Sequence, residues 1–188
     1  MDKICQQKPD NSGLRRERST VSLNLVPDKI INSIYELDGA ELYRKGVRLL
    51  LADLDNTIAR YAQPDPDEAL RLWVRGMEEA GVTVFVLSNG RRPARARRFC
   101  EGFVPYISHA SKPWPKNFRK AMDINGATPE QTIIIGDQIF TDVWGGHNAG
   151  IRACIYVRAI ALDTVPRLLR YCIEAPFRIA CLLRGPRF

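Results

Sequence analysis

The chain has 188 residues, 45% of them apolar and 26% charged, with a formal net charge of +7. That size and mix suit one core and one globular domain, and no apolar run reaches the roughly 18 residues of a transmembrane helix. The charge is uneven: residues 1–20 hold five basic and three acidic side chains, residues 151–188 hold seven and two, and residues 21–150 hold sixteen of each. The basic ends suit an anionic surface rather than chemistry.

Residues 1–20 are polar and aperiodic and are expected to be a disordered basic tail. No apolar h-region follows the first residues, so a secretory signal is not expected. Residues 21–46 read as a short packed lead-in, punctuated by Pro27 and Gly46. Strand-like apolar runs then alternate with helical patterns. Strands are expected at 47–53, 82–87, 105–109, 131–136 and 151–157, and helices at about 66–80, 91–102, 115–124 and 139–149. Pro64-Asp65-Pro66 opens the first helix, and Pro93 sits in the first turn of the second. Gly81, Gly126 and Gly150 each follow a helix, as a C-terminal cap should. The alternation predicts an α/β fold over 21–160: a single Rossmann-like three-layer domain on a parallel five-stranded sheet. Ligands of such sheets bind at the carboxyl ends of the strands.

Residues 161–188 are expected to form a basic amphipathic helical segment. Arg167, Arg170, Glu174 and Arg178 recur at spacings of three, four and four, which is one helical face. Leu168, Leu169, Cys172, Ile173, Phe177, Ile179, Ala180, Leu182 and Leu183 fill much of the rest. Such a helix can lie on an anionic membrane, or its apolar stripe can cover the sheet or a dimer interface. Pro176 should kink or divide it.

The chemistry concentrates at strand ends. Leu49-Leu50-Leu51-Ala52 runs into Asp53-Leu54-Asp55-Asn56-Thr57. Carboxylates at the end of a buried strand cost desolvation energy unless a cation or a proton meets them. Within a strand, residues i and i+2 point the same way, but where the chain turns the two acids can diverge and take separate partners. The strand at 82–87 ends in Ser88-Asn89-Gly90, a hydroxyl, an amide and a helix start that together suit phosphate. His109-Ala110-Ser111-Lys112-Pro113 places a lysine just before a helix. The strand at 131–136 ends in Gly136-Asp137, with Asp142 one turn into the next helix. Each fragment alone has an ordinary explanation, such as a helix cap. Their order around one rim of one parallel sheet does not.

DLDNT, LSNG, SKP and GDQIFTD resemble the four motifs of the haloacid dehalogenase (HAD) superfamily over about residues 50–155. LVPDKIINSIYELD and GDQIFTDVWGGHNAG further resemble the IIIA-type phosphatases of the YqeG-like family, to which mitochondrial phosphatidylglycerophosphate phosphatases are similar. Gly90 departs from the family, which often has an asparagine there. The resemblance implies Asp53 as the nucleophile and Asp55 as the acid–base group. It implies Ser88, Asn89 and Lys112 on the phosphate. It also implies Mg²⁺ held by Asp53, the Asp55 backbone carbonyl and Asp137, with Asp142 nearby through water.

HAD enzymes often carry a cap domain between these motifs. The intervals Thr57 to Ser88 and Gly90 to Lys112 have no room for one. An open site implies a large substrate, a membrane-borne one, or a cap lent by another subunit. Arg91, Arg92, Arg95, Arg97 and Arg98 begin at the same rim, either as a solvated helix face or as an anion-binding field. The expected activity is hydrolysis of a phosphomonoester, foremost phosphatidylglycerophosphate on an anionic membrane. A soluble sugar phosphate, a nucleotide or a polynucleotide end, and an inactive HAD-fold binding module, stand as alternatives. The lack of a row of aromatics for base stacking argues against a single-stranded nucleic acid partner. Five cysteines without CxxC spacing point to reduced thiols, hence a cytoplasmic setting or, in a eukaryote, the mitochondrial matrix. His109 and His147 are the only histidines, which argues against zinc.

Overall fold

A computed structural model describes residues 23–90 and 93–188. The expected N-terminal tail, and Arg91 and Arg92 of the arginine cluster, lie outside the described residues. Thirteen elements follow in chain order: β1 (Lys29–Ile31), α1 (Gly39–Arg44), β2 (Leu49–Ala52), α2 (Glu68–Glu79), β3 (Thr83–Ser88), α3 (Pro93–Cys100), β4 (Tyr106–Ser108), α4 (Lys116–Asn125), β5 (Thr132–Gly136), α5 (Trp144–Ala149), β6 (Ala153–Val157), α6 (Val165–Ile173) and α7 (Ala175–Arg184). The strands form one parallel sheet in the order β1-β6-β5-β2-β3-β4.

The sheet has six strands where five were expected. The added one, β1, lies in the lead-in and pairs with β6. Three residues are too few for a periodicity to register, so tertiary pairing alone makes this segment a strand.

Side chains alternate across the sheet, as the strand period requires. On one face Leu50, Ala52, Val84, Val86, Ile133 and Ile155 pack with Leu42, Leu70, Val74, Met77 and Phe99 of α1, α2 and α3. On the other face Leu49, Leu51, Phe85, Ile134 and Tyr156 pack with Phe118, Ala121 and Met122 of α4. Helix α2 starts one residue beyond Asp67, whose side chain accepts from the Leu70 amide at 2.9 Å, and not at Pro66. The helix expected at 139–149 divides into a wide π-type turn, Ile139–Val143, and the short α5.

The C-terminal segment is two helices, broken at Glu174, with Pro176 in the first turn of the second. Of the two dispositions left open for the apolar stripe, covering the sheet is not the one found: part of the charged face turns inward and the leucines turn out. Glu174 and Arg178 are buried at 0% and 8% exposure, whereas Leu168, Leu169, Ile173, Ile179, Leu182 and Leu183 are 50–85% exposed. Arg178 lies 3.6 Å from the centre of the Tyr171 ring and 5.4 Å from that of Tyr156. Charged side chains turn inward here because the domain supplies partners in place of water: Asp137 for Arg170, and the amides of Ile139 and Phe140 for Glu174. Among the described residues, no helix is long and apolar enough to cross a membrane, and Cys100, Cys154, Cys172 and Cys181 are free thiols.

Candidate active site

Strand β2 lies between β5 and β3, so the residues leaving these three strands meet at one rim. They are Asp53 after β2, Ser88 at the end of β3 and Asp137 after β5. The Asp53 amide still donates to the Ile135 carbonyl at 3.0 Å, which keeps that carboxylate in line with the sheet. The chain then turns sharply. Asn56 adopts φ +66°, a left-handed conformation that asparagine tolerates better than most residues. Its amide donates to the Ala59 carbonyl at 2.7 Å, and the Ala59 amide to that of Leu54 at 3.1 Å. The turn separates the two acids. Asp53 faces Lys112, while Asp55 Oδ1 lies 2.7 Å from Arg95 Nη2 of α3.

Lys112 is 5% exposed and bridges two carboxylates: its Nζ is 2.5 Å from Asp53 Oδ1 and 2.6 Å from Asp142 Oδ1. The loop that carries it is held by Asn89. The Asn89 amide nitrogen donates to the Lys112 carbonyl and the Lys112 amide donates to Asn89 Oδ1, both at 2.9 Å. The side chain of Asn89, a residue expected on the phosphate, thus holds the lysine loop. Ser88 Oγ accepts from the Gly90 amide at 3.1 Å. A Cβ at Gly90 would stand 3.2 Å from Ser88 Oγ and 3.5 Å from Asp55 Oδ2, so the glycine keeps the space between them open. Asp142 is fixed by the Gln138 amide, which donates to its Oδ2 at 3.2 Å.

Asp53, Asp137 and Asp142 are all buried, and each offers an oxygen within 4.8 Å of the others. Asp53 Oδ2 and Asp137 Oδ1 are buried without a hydrogen-bond partner. Orphaned buried oxygens are costly, and an all-oxygen donor set suits a hard divalent cation such as Mg²⁺. The residues present therefore fit a metal. Burial and the charge of Asp53 push the Asp137 carboxyl well above the usual carboxylate range. Burial raises Asp142 as well, against the pull of Lys112. Burial alone would lower the Lys112 ammonium, but Asp142 and Asp53 outweigh it and hold it above the ordinary lysine value. Burial raises the Asp55 carboxyl despite Arg95, which favours its protonated form.

The family model described as HAD-hydrolase-like matches residues 109–161. The protein of Bacillus subtilis (strain 168) named Probable phosphatase YqeG is 31% identical over 139 residues, covering 73% of this chain and 80% of the relative. The chain belongs to the HAD superfamily of phosphatases. N-acylneuraminate-9-phosphatase of Rattus norvegicus is 25% identical over 116 residues, which span 55% of this chain and 46% of that protein. Among solved structures, 3-deoxy-D-manno-octulosonate 8-phosphate phosphatase from Moraxella catarrhalis aligns over 74% of this chain and 92% of its own, at 14% identity and a TM-score of 0.45.

Three more side chains reach the rim of this HAD phosphatase: Arg95, which the sequence placed in a cluster beside the site, and Arg170 and Glu174, which it did not assign there. Arg95 holds Asp55 and also donates to the carbonyls of Arg60 at 2.8 Å and Gln63 at 3.1 Å. Arg170 of α6 sits 2.9 Å from Asp137 Oδ2. Glu174 accepts from the amides of Ile139 and Phe140 at 2.8 and 3.3 Å. All three stand out in sequence as members of charged helix faces, but no local pattern says which way those faces turn. The remaining described arginines of that cluster pair with acids at the surface, Arg97 with Glu101 and Arg98 with Asp65.

Proposed function

We propose that this chain is a Mg²⁺-dependent phosphomonoesterase that works through an aspartyl-phosphate and acts on a lipid headgroup, phosphatidylglycerophosphate. The observation that carries the chemistry is the buried group of Asp53, Asp137 and Asp142 around Lys112, with a free oxygen on Asp53 and on Asp137. In this mechanism Asp53 attacks phosphorus as the bond to the leaving alkoxide breaks. Asp55 gives that alkoxide its proton, then takes one from the water that splits the aspartyl-phosphate. Ser88 hydrogen-bonds the phosphoryl oxygens. Lys112 offsets the charge that builds on them and on Asp53. Asp53, the Asp55 backbone carbonyl and Asp137 would hold Mg²⁺, with Asp142 acting through water. The bound cation would let an anionic nucleophile approach an anionic phosphate.

The lipid assignment is supported by the uncapped rim and by the outward apolar side of α6 and α7. Arg187 is exposed at the end of this segment, and Arg158 is exposed just before it. An apolar patch with basic neighbours complements an anionic bilayer. A peripheral position on such a membrane would bring the open site to the headgroup. A second reading, a soluble polyol phosphate, is favoured by a half-open cavity of about 400 Å³ lined in part by Asn32, Ser33, Tyr35, Arg60, Gln63 and Arg158.

The test is phosphate release from a substrate panel: phosphatidylglycerophosphate in mixed micelles, sugar phosphates, nucleotides and a phosphorylated oligonucleotide. Activity should be strongest on the lipid, vanish in Asp53→Asn and stop in EDTA. A soluble ester hydrolysed faster than the lipid would reject the lipid assignment. Turnover that survives Asp53→Asn would reject the mechanism.

A further inference from the structure

The residues between Asp137 and Asp142 form a wide turn that must keep two carboxylates in register with Asp53 across the rim. Its first two amides, of Ile139 and Phe140, have no acceptor in the turn that would hold them. Both donate to one oxygen of Glu174, at 2.8 and 3.3 Å. Glu174 is 0% exposed and comes from the break between α6 and α7, thirty-two residues after Asp142. Burial pushes its carboxyl above the ordinary glutamate value, against the pull of those two amides, of Arg170 one turn earlier and of Arg178 one turn later. Arg170 in turn holds Asp137 Oδ2 at 2.9 Å, and Asp137 Oδ1 is buried without a hydrogen-bond partner. The Phe177 ring meets that of Phe140 edge-on at 6.0 Å. The C-terminal helices thus grip the same turn at its backbone, at its leading carboxylate and at an aromatic side chain. A buried carboxylate is an expensive way to cover a sheet, and a leucine at position 174 would cover it without leaving a charge to balance.

We infer that Glu174 is a positioning residue for the metal site, and that α6 is a working part of that site rather than an appendage. Glu174 fixes the amides of Ile139 and Phe140, which sets the spacing between the Asp137 and Asp142 carboxylates. Groups that orient metal ligands typically change metal affinity about 10–100-fold when they are lost. The inference rests on the proposed metal role of Asp137 and goes beyond it by adding a residue outside the sequence motifs.

Two substitutions separate reach from charge. Glu174→Asp keeps the charge but withdraws the oxygen by one methylene. Glu174→Gln keeps the oxygen in place but loses the charge. Binding of MgCl₂ to the full chain, without substrate, is measured by isothermal titration calorimetry, with circular dichroism as the control for folding. Glu174→Asp should bind Mg²⁺ about tenfold more weakly than wild type, and Glu174→Gln within about threefold of it. Hydrogen exchange at the Ile139 and Phe140 amides should quicken in Glu174→Asp and stay slow in Glu174→Gln. Unchanged Mg²⁺ binding in Glu174→Asp overturns the inference. Equal weakening in both variants also overturns it, since charge and not position would then be at work. A Glu174→Asp chain that no longer folds overturns it too, because the residue would then serve the fold. A wild-type chain that binds no Mg²⁺ overturns the metal assignment itself, whereas wild-type binding with indifferent variants overturns the role of Glu174 alone.

Discussion

Replacing Lys112 by methionine should expose how much of the site's stability rests on one cation. The side chain is close to isosteric, so the change removes the charge and little volume. In the native cluster the carboxylates of Asp53, Asp137 and Asp142 face two cations, Lys112 and Arg170. Lys112→Met leaves Arg170 alone against all three. Breaking a buried ion pair from one side costs about 3–5 kcal/mol. Each kcal/mol moves the melting temperature of a chain this size by about 2–4 °C, so the expected drop is about 6–20 °C. The folded-state pKa of Lys112 is raised, so its contribution is complete below the ordinary value of 10.5 and is lost only as pH rises through the folded-state value. A melt at pH 7 therefore reads all of it. The double variant Lys112→Met/Asp142→Asn also removes one of the two carboxylates that Lys112 bridged. It should regain about 0.5–3 kcal/mol against the sum of the two single changes, the range found for coupled neighbours. Thermal melts by circular dichroism in EDTA give all four corners of the cycle. A single variant that melts within about 2 °C of wild type, or a double variant whose loss is simply additive, would refute the view that this lysine holds the carboxylates together.

Asp55→Asn should lose about 10²–10⁴-fold in turnover of an alkyl phosphate but far less with an activated aryl phosphate, whose leaving group needs no proton; equal losses on the two substrates count against Asp55 as the acid. Gly146→Ala should destabilise by about 1–3 kcal/mol in chemical denaturation, the usual range for overpacking. Its Cβ would stand 2.5 Å from Ile134 Cγ2 and 2.6 Å from Cys154 Sγ, and an unchanged midpoint would mean that α5 can back away from the sheet. Burial pushes the Asp28 carboxyl up, but His147, 3.2 Å away, and the Cys154 amide at 2.9 Å outweigh it and hold the group below its usual value. A depressed folded-state pKa gives stability that is present above the unfolded value of 3.8 and is lost as pH falls through the folded one. Asp28→Asn should therefore cost about 1.5–3 kcal/mol at pH 7, with the gap to wild type narrowing in melts below about pH 3.8; a gap that stays constant to pH 2 would show that the ionised form is not what matters.

The local pattern of this chain was enough to reveal the sheet and the strand ends that carry Asp53, Ser88, Lys112 and Asp137. Strand runs such as Leu49–Ala52 and Ile133-Ile134-Ile135 are buried on both faces and are therefore continuously apolar, and a carboxylate at the end of such a run stands out on desolvation grounds alone. Three features were decided only by tertiary contacts. The strand β1 is too short to carry a period and exists through its ladder with β6. Asn89 was legible as a polar residue at a strand end, but the Lys112 backbone it holds lies 23 residues away in sequence. The face formed by Arg167, Arg170, Glu174 and Arg178 was also legible, and its direction was not. A helix records which residues share a side, whereas the choice between water and protein depends on what the rest of the chain offers. Here the domain offers Asp137 to Arg170 and the amides of Ile139 and Phe140 to Glu174, so the charged side turns in and the leucines face out.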